Sequence, residues 1–193
     1  MDFFNKSEQS ILLNAENIIV GFSGGVDSTL VLAATNQFLE AHNKKNCLTA
    51  LHVNHQTQSD SSSWQIHCEK FCKEHNINFS CKSVEIKESG QGYEAAARSA
   101  RLDIFNSFDE ATVIILGHHL DDQVETVFFR VLRGTGLKGL TGMQRHIKIK
   151  DKDFIRPLLH LTKEEIFKQA IEYKLSFIED QSNTDNAYSR NFL

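Results

Sequence analysis

The sequence predicts an α/β protein whose centre is a parallel sheet of about five strands flanked by helices. Three observations lead there. Short apolar runs alternate with longer stretches that repeat at helical spacing, as in Ile18–Val20, Leu48–Val53 and Thr112–Leu116. The connections are long enough to be helical crossovers, which right-handed packing turns into parallel neighbours. Polar clusters stand directly after the first, second and fourth strands, where open α/β sheets hold their ligands. With 193 residues, the chain fits one Rossmann-like domain over residues 1–193.

The elements follow in order. The segment up to Leu13 reads as a short helix. Ile18 to Phe22 is the first strand, and Ser28 to His42 is a helix with Leu30, Val31, Ala34, Phe38 and Leu39 on one side. Leu48 to Val53 is the second strand, running into His52-Val53-Asn54-His55. Gln56 to Ser63 is a polar loop. Trp64 to Asn76 is helical, with Trp64, Cys68, Phe71 and Cys72 on one side. Phe79 to Ile86 alternates apolar and polar and reads as the third strand. Tyr93 to Phe108 is an alanine-rich helix. Thr112 to Leu116 is a β-branched run suited to the buried centre of a parallel sheet. Leu120 to Arg133 is the next helix, followed by a glycine-rich segment, Gly134 to Gly142. Phe154-Ile155 is a short strand before Pro157. Thr162 and Glu165 form a capping box that opens a helix running to about Tyr173.

Bulk properties narrow the class. The net charge of −4 gives no support to a dedicated polyanion-binding domain. No apolar run approaches the roughly 20 residues that span a bilayer. The first residues show no basic segment followed by an apolar core, so no membrane role and a cytoplasmic home are expected. The four cysteines, Cys47, Cys68, Cys72 and Cys81, are expected as thiols in that compartment. His67, Cys68, Cys72 and His75 have a metal-like look but lack the second ligand pair of a zinc site.

The run Gly21-Phe22-Ser23-Gly24-Gly25-Val26-Asp27-Ser28 carries the most chemistry. It follows a strand and opens a helix, whose first N–H groups and positive dipole end bind anions. Ser23 and Ser28 add hydroxyls. Asp27 adds a carboxylate able to hold magnesium. The plain alternative is an ordinary turn with Ser28 as helix cap. A sharper rival is the nucleophile elbow of serine hydrolases, because G-x-S-x-G is also satisfied. A Walker loop is excluded, since no Lys-Ser or Lys-Thr follows at the required spacing.

A second constellation is Leu116-Gly117-His118-His119-Leu120-Asp121-Asp122-Gln123-Val124-Glu125-Thr126. Asp122 and Glu125 are three apart and share a helix face. His118 stands just before that helix, within expected reach of both. Acidic groups favour a helix N-terminus in any case. That accounts for Asp121 or Asp122, but not for two histidines or Glu125. The Arg130–Gly142 segment has the composition of a loop over a polyanionic substrate, or of a plain connection.

Ser23-Gly24-Gly25-Val26-Asp27-Ser28 matches the S-G-G-x-D-S signature of PP-loop ATP pyrophosphatases. His52-Val53-Asn54-His55, Leu116 to Thr126, Arg133 to Leu140, Arg156-Pro157-Leu158-Leu159, Asp180 to Asp185 and Tyr188 to Asn191 together resemble the tRNA(Ile)-lysidine synthetase family. The resemblance implies a PP-loop fold and a two-step ligase. ATP adenylates the carbon-2 oxygen of the wobble cytidine in an isoleucine tRNA with a CAU anticodon. L-lysine then displaces AMP to give lysidine. It implies that Ser23, Gly24, Gly25, Val26, Asp27 and Ser28 bind ATP and its leaving pyrophosphate, with Asp27 helping to place Mg2+. Asp122 and Glu125 are implied to bind or deprotonate lysine. Arg98 is implied near the activated phosphate, and His118 and Arg190 also fall on family positions. Two departures stand out. Gln56-Thr57-Gln58 replaces a run that is commonly Gly-Leu-Arg-like. Family members also continue past a domain like this one, so C-terminal tRNA-binding domains are expected outside this chain. A 2-thiolating PP-loop enzyme is the alternative, although the C-x-x-C pair that some of those use is missing here.

Overall fold

The computed structural model describes residues 1–54, 61–84, 93–109, 112–136 and 140–178, with the side chains of 61, 62, 93–98 and 101 left aside. Residues 6–14 form α1, which opens on a capping box: the Asn5 side chain accepts from Glu8 N–H at 2.9 Å, and Glu8 Oε2 accepts from Asn5 N–H at 2.9 Å. Then come β1 (Asn17–Gly21), α2 (Val26–Ala41), β2 (Leu48–Asn54), α3 (Ser61–Glu74) and β3 (Asn78–Ser83). They are followed by α4 (Tyr93–Asn106), β4 (Thr112–Ile115), α5 (Leu120–Leu132), β5 (His146–Ile149), β6 (Lys152–Ile155) and α6 (Lys163–Glu172).

Six strands form one sheet in the order β3-β2-β1-β4-β6-β5. All neighbours are parallel except β5, which pairs antiparallel with β6. The sheet thus has one strand more than the five expected. The extra one, His146-Ile147-Lys148-Ile149, lies where the sequence reads as a connection. Its hairpin turns through Lys150 and Asp151, both in the left-handed region at φ 47° and 63°. Such turns normally carry Asn-Gly or Asp-Gly, so the usual hairpin signal is missing. Smaller shifts also occur: α3 starts at Ser61 instead of Trp64, and α4 ends at Asn106 instead of Phe108. Residues 56–60 of the polar loop and the predicted strand end at Ile86 lie outside the described residues.

Strand alternation explains the core. Ile18 and Val20 of β1, with Val113 and Ile115 of β4, enter the larger core with Leu30, Val31, Leu32, Phe71 and Ile166. The intervening Ile19 and Ile114 point to the other face, against Phe105, Leu51 and Phe154. Central strands buried on both faces are the reason these runs read as continuously apolar.

The order has a functional consequence. From β1 the chain moves outward to β2 and β3, then returns past β1 to β4. Strand order reverses between β1 and β4, and the gap beyond their C-terminal ends is the switch point where such sheets bind ligands.

Candidate active site

Two loops meet at that switch point. The first joins β1 to α2. Gly25 is the N-cap of α2, so Val26, Asp27 and Ser28 form its first turn. Ser28 is therefore not the cap. Its hydroxyl donates back to Gly25 O at 3.0 Å and accepts from Ser23 N–H at 3.2 Å. It also lies 3.1 Å from Ser23 Oγ. These contacts close the loop on itself and leave first-turn N–H groups facing outward, as an anion cradle requires. Gly24 sits at φ 89°, and a Cβ there would lie 3.0 Å from both Cys68 Sγ and Ile178 Cδ1. Only glycine meets both conditions without strain. Ile178 N–H donates to Gly24 O at 2.9 Å, fixing the loop from below.

The second loop, Gly117–His119, leaves β4. A Cβ on Gly117 would come within 3.1 Å of the Asp27 carbonyl and 3.2 Å of Ser28 N. This close approach puts His119 against the first turn of α2. His119 Nε2 lies 3.8 Å from Asp27 Oδ1 and 3.6 Å from Asp122 Oδ2, and its Nδ1 lies 3.4 Å from Asp121 Oδ2. Asp122 Oδ2 also accepts from His119 N–H at 3.0 Å, closing the first turn of α5. Asp121 Oδ2 reaches out of the site to accept from Lys163 N–H at the start of α6, at 2.8 Å.

Burial raises the Asp27 carboxyl above its ordinary value, opposed by His119 and reinforced by the charge of Asp122. Its Oδ1 is buried without a hydrogen-bond partner. An orphaned carboxylate oxygen beside an anion cradle suits a magnesium ion. Mg2+ takes one or two protein carboxylates and fills its remaining positions with phosphate oxygens and water. Among the described residues, no three His, Cys, Asp or Glu side chains form a ready metal cage. The Asp27 carboxylate, with its orphaned Oδ1, is the group that would hold such an ion. The cysteines are free thiols, and burial pushes Cys68 and Cys72 up to about 12. They pack as apolar groups beneath the loop.

The structure gathers Ser23, Gly24, Gly25, Val26, Asp27 and Ser28 with Asp122 at one edge. Glu125 lies one turn further along α5, half-buried. His119 faces the carboxylates of Asp27, Asp121 and Asp122. His118 turns to Arg156, whose Nε donates to His118 Nδ1 at 3.3 Å. The sequence singles out His118 beside Asp122 and Glu125; the structure adds His119. Adjacent residues at a strand end point to opposite sides, and only the fold shows which side is which. Arg98 belongs to α4, but its side chain is outside the described residues, as is all of Arg190. The second strand end contributes His52, whose Nδ1 is 2.9 Å from Phe22 O and steadies the start of the first loop.

A glycine cradle at the switch point, with a half-buried acidic residue in the first helical turn, fits an ATP-binding domain of the PP-loop class. The family model described as "PP-loop domain" matches residues 2–193, and the chain belongs to that family. It is 41% identical over 179 residues to the tRNA(Ile)-lysidine synthase of Legionella pneumophila strain Lens, covering 92% of this chain and 41% of that protein. It is 37% identical over 183 residues to the synthase of the same name from Escherichia coli O157:H7, covering 94% and 42%. The chain thus spans about two-fifths of the length of these curated relatives.

Solved structures show the same fold. The U34-tRNA thiolase NcsA from Methanococcus maripaludis superposes with a TM-score of 0.64 at 20% identity, over 90% of this chain and 64% of that one. The glutamine-dependent NAD+ synthetase from Acinetobacter baumannii gives 0.55 at 13% identity, over 96% and 35%. No helix among the described residues is long and apolar enough to cross a membrane.

Proposed function

We propose that this chain is the catalytic domain of a tRNA(Ile)-lysidine synthase, acting in the cytoplasm. ATP adenylates the carbon-2 oxygen of the wobble cytidine in an isoleucine tRNA with a CAU anticodon, and pyrophosphate leaves. The ε-amine of L-lysine then attacks carbon 2, the carbon–oxygen bond to AMP breaks, and the amine gives up a proton. The observation that carries this reading is the cradle of Ser23 to Ser28 seated at the switch point with the Asp27 carboxylate in its first turn. Relatives about 40% identical bear the synthase name.

Roles follow from chemistry. The N–H groups and hydroxyls of the cradle grip the β and γ phosphates that depart as pyrophosphate. Asp27 holds Mg2+, which neutralises charge on the phosphates when bound. Asp122 and Glu125 offer negative charge to the lysine ammonium and an acceptor for its proton, since only the neutral amine attacks. Arg98 and Arg190 supply positive charge to the activated phosphate. The surfaces that grip the body of the tRNA belong to the further length of the relatives. That division fits the net charge of −4.

The decisive test measures pyrophosphate release with and without L-lysine and the CAU tRNA. Because pyrophosphate leaves in the first step, tRNA alone supports at most a single round. Repeated turnover that needs both supports the reading, and repeated turnover indifferent to lysine refutes it. A thiolating enzyme would instead need a sulfur donor. A serine hydrolase is disfavoured: among the described residues, the Ser23 hydroxyl meets Ser28 Oγ and Gly25 N–H, with no histidine as partner.

A further inference from the structure

His118 stands in the Gly117–His119 loop beside the cradle, and the chemistry open to it depends on which ring nitrogen carries the proton. Arg156 decides that. A guanidinium is always protonated and has only N–H donors. Its Nε donates to His118 Nδ1 at 3.3 Å, so Nδ1 must present a lone pair. A ring proton on Nδ1, in either the other tautomer or the imidazolium, would set two donors and, when charged, two cations against each other. The neutral ring therefore carries its proton on Nε2.

Arg156 is well held for this task. Its Nη1 donates to Gln144 O at 2.9 Å, and its backbone N–H donates to Arg145 O at 2.7 Å. Leu116 N–H donates to Ile155 O at 3.0 Å, which extends the β4–β6 ladder and carries Arg156 alongside the Gly117–His119 loop. Pro157 follows directly and biases Arg156 toward extended backbone, in line with β6. Arg145 is itself clamped, with Nε and Nη2 on the two oxygens of buried Glu8 at 2.7 and 2.9 Å. The chain of contacts from α1 to His118 is continuous.

We propose that Arg156 is a positioning residue that locks His118 as the neutral Nε2–H tautomer, so that His118 serves the reaction as a hydrogen-bond donor and not as a base. This deepens the synthase reading and rests on it for the reaction concerned. A fixed N–H suits an oxygen that gains negative charge, such as a phosphate oxygen of ATP or of the adenylate. Taking the lysine proton then falls to the carboxylates of α5. Histidine and carboxylate thereby divide between them the two jobs that either could do alone.

The tautomer is read by 15N NMR of histidine-labelled protein, with His118 assigned from its loss in His118→Gln. The expected signature is an unprotonated Nδ1 and a protonated Nε2. In Arg156→Met that pattern should collapse toward a mixture of tautomers. Pyrophosphate release in Arg156→Met should fall about tenfold to a hundredfold through kcat, with little change in KM for ATP. In the Arg156→Met, His118→Gln double variant the loss should be no greater than in His118→Gln alone. A protonated Nδ1 in the wild type, an unchanged tautomer in Arg156→Met, or full additivity in the double variant overturns the proposal. If Arg156→Met fails to fold, the wild-type spectrum alone decides. The spectrum needs no substrate, so it can fail while lysine-dependent release stands, and the reverse.

Discussion

The two halves of the site are built by opposite means. The Ser23–Ser28 loop is closed mainly from within: among the described residues its side-chain hydrogen bonds run between positions at most five apart, and the backbone bond from Ile178 N–H to Gly24 O supports it from outside. The Gly117–Asp122 segment is held from a distance. Asp121 reaches α6, His118 is held by Arg156 after β6, and Leu120 N–H donates to Leu161 O at 2.8 Å. In the proposed function, the locally closed loop is the part that would grip the triphosphate. An assembled segment can be re-tuned by distant residues, which suits the part that meets a particular acceptor and nucleophile. The halves touch where Gly117 lies against Asp27 and where His119 faces it.

The largest effect is expected where they touch. Asp27→Asn should lower pyrophosphate release by about a hundredfold or more, as loss of one electrostatic contact to a reacting phosphate does. It should not lower stability. Burial raises the folded carboxyl above 3.8, so its charge costs stability at neutral pH, and that cost is relieved as pH falls through the folded value. A neutral amide of the same shape escapes it. The melting temperature of the variant should match or exceed the wild type at pH 7. A clear drop would mean that Asp27 is a structural anchor and the halves are not divided as described.

Next comes the contact itself. Gly117→Ala puts a methyl 3.1 Å from the Asp27 carbonyl, backbone against backbone, with no flexible side chain to give way. The loops must part by some tenths of an ångström. Overpacking of this kind costs about 1–3 kcal/mol, and displacement of catalytic groups should cost release up to about a hundredfold. Denaturant melts and initial rates test both. Retention of full rate would show that the halves act without a fixed spacing.

A third change separates the halves. Glu8→Ala leaves the Arg145 guanidinium without its carboxylate, beside Phe3, Phe4 and His160. Breaking such a buried pair costs about 3–5 kcal/mol; since Arg145 is partly exposed, the low end is expected. If the Ser23–Ser28 loop holds ATP as proposed, ATP affinity should change less than lysine-dependent turnover, because the disturbance enters through Arg145 and Arg156. Isothermal titration with ATP and steady-state turnover compare the two directly. Equal losses would erase the distinction.

The same contrast explains what the sequence could tell. The Ser23–Ser28 loop was legible because its geometry is local: glycines, a capping turn and a strand–helix boundary are written in consecutive residues. The parallel sheet was legible because strands buried on both faces read as apolar runs, as Ile18–Val20 and Val113–Ile115 do. The second half was legible only as composition. Which histidine meets Asp27 depends on the side each takes at the end of β4. That His118 is held by Arg156, 38 positions away in the chain, depends on β6 lying beside β4. Strand β5 escaped because Lys150 and Asp151 turn a hairpin without the glycine that would announce it.

The smallest expected effect tests the self-contained half from beneath. His52 is buried, and its Nδ1 lies 2.9 Å from Phe22 O, at the root of the loop. Burial, the larger influence, lowers its pKa from the ordinary 6.5, and the bond to Phe22 only partly offsets this. The unfolded chain then takes up the proton first as pH falls. Stability is complete above 6.5, declines as pH falls from there toward the folded value, and changes no further from this group once both states are protonated. His52→Gln should lower stability modestly at pH 8 and remove this part of the acid dependence, so the two proteins converge between pH 8 and pH 5. Chemical denaturation at a series of pH values measures the gap. A gap that stays constant would show that His52 has the same pKa folded and unfolded, and that burial does not lower it. A gap that widens on acidification would show a histidine stabilised in its charged form. The loop would then lean on an electrostatic partner outside its own backbone, and the contrast between the halves would weaken at its root.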